Sequence, residues 1–86
     1  MRYPQADEDA ERRKRREFGR RFRAARQRAG MSQGEVADQL GVGQPYISQI
    51  ERGLINLTMS SVFALARAIG CTYSILLRSS TRRTRD

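Results

Sequence analysis

MSQGEVADQLGVGQPYISQIERG, residues 31–53, holds two short runs of helical apolar spacing separated by only GVG. In the first, Ser32 and Glu35 have the S-x-x-E spacing of a capping box, which opens a helix by satisfying two orphan backbone donors reciprocally. Val36, Ala37 and Leu40 give that helix an apolar face, and Gly41 ends it. In the second run Pro45 fits only the first turn, where a missing N–H costs no intrahelical bond. From there Ile47 and Ile50 point inward, while Gln44, Ser48 and Gln49 face out of a helix spanning 44–52. A link of three residues with glycine at its start forces a sharp angle between the axes, and small Ala37 permits a close crossing. Val36, Leu40, Val42, Ile47 and Ile50 are expected to fill the space behind. The pattern is a helix-turn-helix; its plain alternative is a helical bundle with a tight corner.

Helices are expected on both sides of this unit. Phe18, Phe22, Ala25 and Ala29 make one apolar stripe on a basic helix that stops at Gly30. On the other side, Val62, Leu65, Ala66 and Ile69 repeat at helical spacing behind a cap at Thr58 or Asn56, and Gly70 closes that helix. A short last helix over 73–77 packs Leu76 or Leu77 on the core and exposes Tyr73 and Ile75. No alternating period long enough for a sheet occurs, so the fold is expected to be all-α with five helices.

The chain has 86 residues, the size of one small domain with a single apolar core. Its net charge of +8 and pI near 11.2 favour a polyanionic partner. That charge is divided unevenly: +6 in residues 1–30, −1 in 31–77 and +3 in 78–86. A nearly neutral centre is thus flanked by two basic arms, and the expected division is a charged arm or helix extension at 1–17, a domain at 18–77 and a disordered basic tail at 78–86. The first arm reads equally as an ordinary charged helix. Acids precede bases, as the helix dipole favours, and Glu8–Arg12, Asp9–Arg13 and Glu11–Arg15 are spaced as i, i+4 pairs. The five consecutive bases at 12–16 turn through more than one revolution, so they cannot all face one partner. A solvated extension, phosphate contact and a loose tail all remain open for it.

Other classes are excluded or disfavoured. Histidine is absent, which removes Ser/His and Cys/His nucleophilic pairing and a Cys/His zinc site. Neither a catalytic site nor a metal or other cofactor is expected. The lone cysteine, Cys71, cannot form an internal disulfide and reads as a small core residue. No apolar run approaches the ~18 residues of a membrane span, nor does the start resemble a signal peptide, so a cytoplasmic location is expected.

The 31–53 segment resembles the phage-repressor-type family (Cro and lambda-repressor-like, also called XRE), with YISQIERG its most specific piece. FGRRFRAARQRAG before it and NLTMSSVFALARAIG after it resemble that family's first and fourth helices. The resemblance spans about 18–77 and implies a compact five-helix domain that binds double-stranded DNA, usually as a homodimer, in transcriptional control. By position it implies that Gln44 and Pro45 begin the recognition helix and that Ser48 and Gln49 lie on the surface facing the major groove. Gln33 matches a phosphate-gripping position, and Arg52 and Asn56 lie where the family meets the DNA backbone. Tyr46 is expected to rest its ring on the core with its hydroxyl toward a phosphate, and Arg20 joins the candidate phosphate contacts. Arg52 has the alternative of pairing with Glu51 or Asp38. Glu51 is expected to make an internal contact to Arg26, because a carboxylate facing DNA is repelled. Phe63, Tyr73, Ile75 and Leu76 form the candidate dimer interface, although they serve equally as core. Two departures stand out: Gly43 replaces the usual Ser, Thr or Asp cap, and Pro45 removes a polar side chain from a base-contacting place.

Two other readings fit the same residues. One is a protein-interaction module such as an antitoxin, with a protein partner and only secondary DNA binding. Another is RNA or membrane-surface binding through RRKRR.

Overall fold

A computed structural model describes residues 7–72, which form four helices: α1 (Glu8–Arg28), α2 (Gln33–Leu40), α3 (Gln44–Glu51) and α4 (Met59–Ile69). The expected fifth helix at 73–77 and the tail at 78–86 lie outside the described residues.

Each helix begins and ends for a local reason. The Asp7 carboxylate accepts from the Ala10 N–H at 3.1 Å, and Glu8, Asp9 and Glu11 occupy the first turn of α1. This helix has 21 residues, about 32 Å, and runs unbroken through the boundary expected at residue 17. The capping box of α2 is complete: Ser32 Oγ accepts from the Glu35 N–H at 3.0 Å and the Glu35 carboxylate from the Ser32 N–H at 2.8 Å. Thr58, not Asn56, caps α4, accepting from the Ser61 N–H. By contrast α3 starts at Gly43 with no side-chain cap, and Pro45 stands in its first turn. Gly41, with φ of 71°, ends α2 in the left-handed conformation that only glycine adopts cheaply.

The core lies where the four helices meet. Phe22, Ile47, Ile50, Leu65 and Val36 are its largest fully buried side chains, each contributing about 1.5–3 kcal/mol by leaving water. Phe18 stacks on Phe22 at 6.4 Å between ring centroids, and the expected stripe Val62, Leu65, Ala66 and Ile69 is buried throughout. Three expectations need correction. Ala29 is exposed, because α1 has ended before it and its position no longer continues the stripe. Val42 is also exposed, since the turn points it outward while its backbone N–H bonds back to the Ala37 carbonyl at 3.0 Å. Thirdly, among the described residues the ion pairs within α1 are Asp9–Arg12, at i, i+3, and Glu17–Arg21, not the expected trio. Arg15 instead reaches across to the loop between α3 and α4.

α1 and α3 approach so closely that a Cβ on Gly19 would lie 2.5 Å from the Glu51 carbonyl oxygen and 2.6 Å from that of Ile50. A Cβ on Gly53 would likewise meet Arg16, 2.6 Å from its Cγ. Backbone contact at these two glycines locks α1 to the C-terminal end of α3.

Candidate nucleic-acid interface

The sharp corner between α2 and α3 brings the first residues of both helices together. Ala37 on α2 is buried in the core, 2% exposed. Gln44 Nε2 then donates to Gln33 Oε1 at 2.6 Å, and Gln33 Nε2 donates to Glu51 Oε1 at 3.0 Å. Glu51 is itself held from below by a bidentate pair, Arg26 Nε to Oε2 at 2.6 Å and Arg26 Nη2 to Oε1 at 3.0 Å. The remaining Arg26 Nη1 donates to the Met31 carbonyl at 2.9 Å. An expected core contact, Arg26 to Glu51, is therefore the root of a polar chain that ends at the protein surface.

The direction of that chain follows from its chemistry. A carboxylate only accepts, so Gln33 must turn its nitrogen to Glu51 and its oxygen to Gln44. Gln44 answers with its nitrogen, leaving one N–H and its own oxygen for an outside partner. Arg26 and Glu51 side chains are only 10% and 4% exposed, a setting in which an unpaired charge is costly but a bidentate pair is tolerated. Donating to the Glu51 carboxylate holds the pKa of the Arg26 guanidinium above its ordinary value, against the opposing effect of burial.

Along α3, Gln44, Pro45 and Gln49 are exposed, Ser48 is half-buried, and Ile47 and Ile50 face the core. These four residues form one outward face. Tyr46 is half-buried and packs on the core. Arg52, the residue after α3, is exposed, and among the described residues it pairs with neither Glu51 nor Asp38. Arg20 is exposed on α1, away from the Gln33–Gln44 unit in sequence and element. Asn56 is exposed too, but its side-chain oxygen accepts from Arg15 Nη1 at 2.8 Å. The sequence offers Arg15 a partner only in Glu11, because nothing in the spacing reveals a contact 41 positions away. Phe63 is 42% exposed on α4; Tyr73, Ile75 and Leu76 lie outside the described residues.

Comparison with known proteins identifies the family and the fold. The helix-turn-helix family profile (HTH_3) matches residues 22–76, most of the chain. The chain belongs to the XRE-type helix-turn-helix family. An uncharacterized HTH-type transcriptional regulator, y4dJ of Sinorhizobium fredii, is 36% identical over 55 residues, 64% of this chain and 71% of that protein. Among solved structures, the restriction-modification controller protein C.AhdI of Aeromonas hydrophila superposes with a TM-score of 0.71 at 29% identity, covering 76% of this chain and 94% of the other. The clp gene regulator ClgR of C. glutamicum gives 0.71 at 25% identity over 74% and 83% of the two chains. The hypothetical transcription factor NHTF from Neisseria gives 0.71 at 29% identity over 93% and 88%. This helix-turn-helix chain is thus one of a family of DNA-binding transcriptional regulators, not enzymes. Among its described residues no helix is long and apolar enough to cross a membrane.

Proposed function

We propose that the protein is a sequence-specific transcriptional regulator that binds double-stranded DNA as a homodimer on an inverted repeat, with α3 in the major groove. The observation that carries this reading is the Gln33–Gln44 hydrogen bond, which holds Gln44 with one N–H and one oxygen free. That pair of groups matches the N7 and N6–H edge of adenine, the base that a glutamine amide reads bidentately. Ser48 and Gln49 extend the readout along the same face, and Pro45 offers an apolar contact such as a thymine methyl accepts.

Around this centre, Gln33, Tyr46, Arg52, Asn56 and Arg20 serve as phosphate contacts that set the register without reading sequence. Asn56 does so as one unit with Arg15, whose charge it anchors. An α3 of eight residues reads too few base pairs alone, and two copies on half-sites about one turn, ~34 Å, apart double the information. Phe63, with Tyr73, Ile75 and Leu76, supplies the interface between them.

Selection of bound duplexes from a random DNA pool, at near-physiological salt with non-specific competitor, tests the whole reading. An enriched inverted repeat is expected, and Gln44→Ala should lose preference at one position of each half-site by about 1–3 kcal/mol. Enrichment of no sequence, or of one that Gln44→Ala reads equally well, would overturn it.

A further inference from the structure

Before the first residue matched by the family profile, α1 continues toward its N-terminus for almost four turns. Arg13, Arg16, Arg20 and Arg23 stand along this helix at i, i+3, i+7 and i+10, all exposed. At 100° per residue they fall within a sector of about 80°, a single row some 15 Å long. Among the described residues none of the four makes an ion pair, whereas Arg12, Arg21 and Arg26 do. Two of the four acids of the helix are used elsewhere, Asp9 with Arg12 and Glu17 with Arg21, and the other two, Glu8 and Glu11, lie in its first turn. Asp9 stands one turn before the row on the same face, but it pairs with Arg12, and from Arg13 to Arg23 the row carries positive charge alone.

Its place beside α3 is fixed by the backbone. Gly19 and Arg26 meet the C-terminal end of α3 directly, and Arg16 and Arg23 lie about 60° further round α1 from that contact line. Gly53 rests on the backbone of Arg16, and Arg15 is tied to Asn56, so the row cannot swing away from the end of α3. Arg52 and Asn56, the candidate phosphate contacts that follow α3, stand at this same junction: Asn56 accepts from Arg15, and Gly53 lies against Arg16 in the row itself.

We propose that Arg13, Arg16 and Arg23, together with Arg20, form a rigid phosphate-binding ridge that follows the DNA backbone beyond the bases read by α3. This rests on the DNA-binding reading above, and adds a second contact surface from a segment that mostly precedes the residues matched by the family profile. The partner is duplex backbone and not a particular sequence: guanidinium groups on a stiff helix neutralise phosphates by charge and hydrogen bonding, with no base edge in reach of their pattern.

The test compares the full chain with an Arg13→Gln, Arg16→Gln, Arg23→Gln triple variant, in which glutamine keeps the helix propensity and Arg20 remains. Binding is measured across a salt series on two duplexes, one ending at the edges of the selected repeat and one extended by flanking DNA. The expected result is that wild-type affinity rises on the extended duplex and the variant's does not. The variant's log–log salt slope should be shallower by about 0.9 for each lost phosphate contact, with an unchanged selected sequence. Equal slopes and equal gain from flanking DNA would overturn the ridge. So would a variant that loses affinity for an RNA duplex alone. Gln44→Ala, run in parallel, separates the two readings: an unchanged base preference in that variant removes the proposed function, while the slope on random duplex still reports on the ridge.

Discussion

Gln44 donates its side-chain N–H to the amide oxygen of Gln33 at 2.6 Å, so residues eleven apart, at the starts of two helices, form one hydrogen-bonded unit. Neither side chain is free to flip, because Gln33 is already committed to Glu51 through its nitrogen. The two should therefore act together on DNA. In a double-mutant cycle of Gln33→Ala and Gln44→Ala, read as binding to the selected duplex, we expect a coupling energy of about 0.5–3 kcal/mol. Strict additivity would mean that the bond does not orient the reader.

Removing the root of the chain should be costly. Glu51→Leu leaves the Arg26 guanidinium buried without its counter-charge, and denaturant unfolding should show a loss of about 3–5 kcal/mol. An Arg26→Met, Glu51→Leu double variant replaces the pair with apolar groups and should recover most of that stability. It leaves Gln33 without its anchor, however. We expect this variant to be folded, by thermal melting, yet to discriminate less between the selected duplex and a substituted one.

A helical glycine ordinarily becomes more stable as alanine, by about 1 kcal/mol. At Gly19 the sign should reverse. The added methyl would stand 2.5 Å from the Glu51 carbonyl oxygen, backbone that cannot move aside cheaply. Thermal unfolding of Gly19→Ala should show a net destabilisation of about 1–3 kcal/mol, the usual range for overpacking.

Gly43 offers the opposite case, in which stability and binding part company. Gly43→Asp supplies the side-chain cap that α3 lacks, and chemical unfolding should register a gain of a few tenths of a kcal/mol (~0.3). Its carboxylate also enters the surface next to Gln44. Affinity for every duplex should fall, most at low salt, where repulsion from phosphate is least screened.

Much of this arrangement is legible in the sequence. The capping box at Ser32 and Glu35, Gly41 as a helix end and Pro45 in a first turn are local rules, and each operates as the spacing implies. Arg26 with Glu51 was legible for a different reason: an acid beside a surface meant for a polyanion has to turn inward. What spacing does not encode is the crossing of two helices. The Gln33–Gln44 bond, the reach of Arg15 to Asn56 and the outward turn of Val42 all depend on that angle. Ala29 fell out of its stripe because periodicity outlasts the helix that gives it meaning.

The missing cap on α3 has a last consequence. Eight residues are far below the dozen or so at which an isolated helix becomes even marginal in water, and this one has no side chain to nucleate its first turn. Its shape is borrowed from Ile47 and Ile50 in the core. A synthetic peptide of α3, or a proteolytic fragment lacking α1 or α4, should be a random coil with no residual selectivity. In the cell, the concentration of competent reader and the concentration of folded domain would then be the same quantity, set as much by turnover as by synthesis.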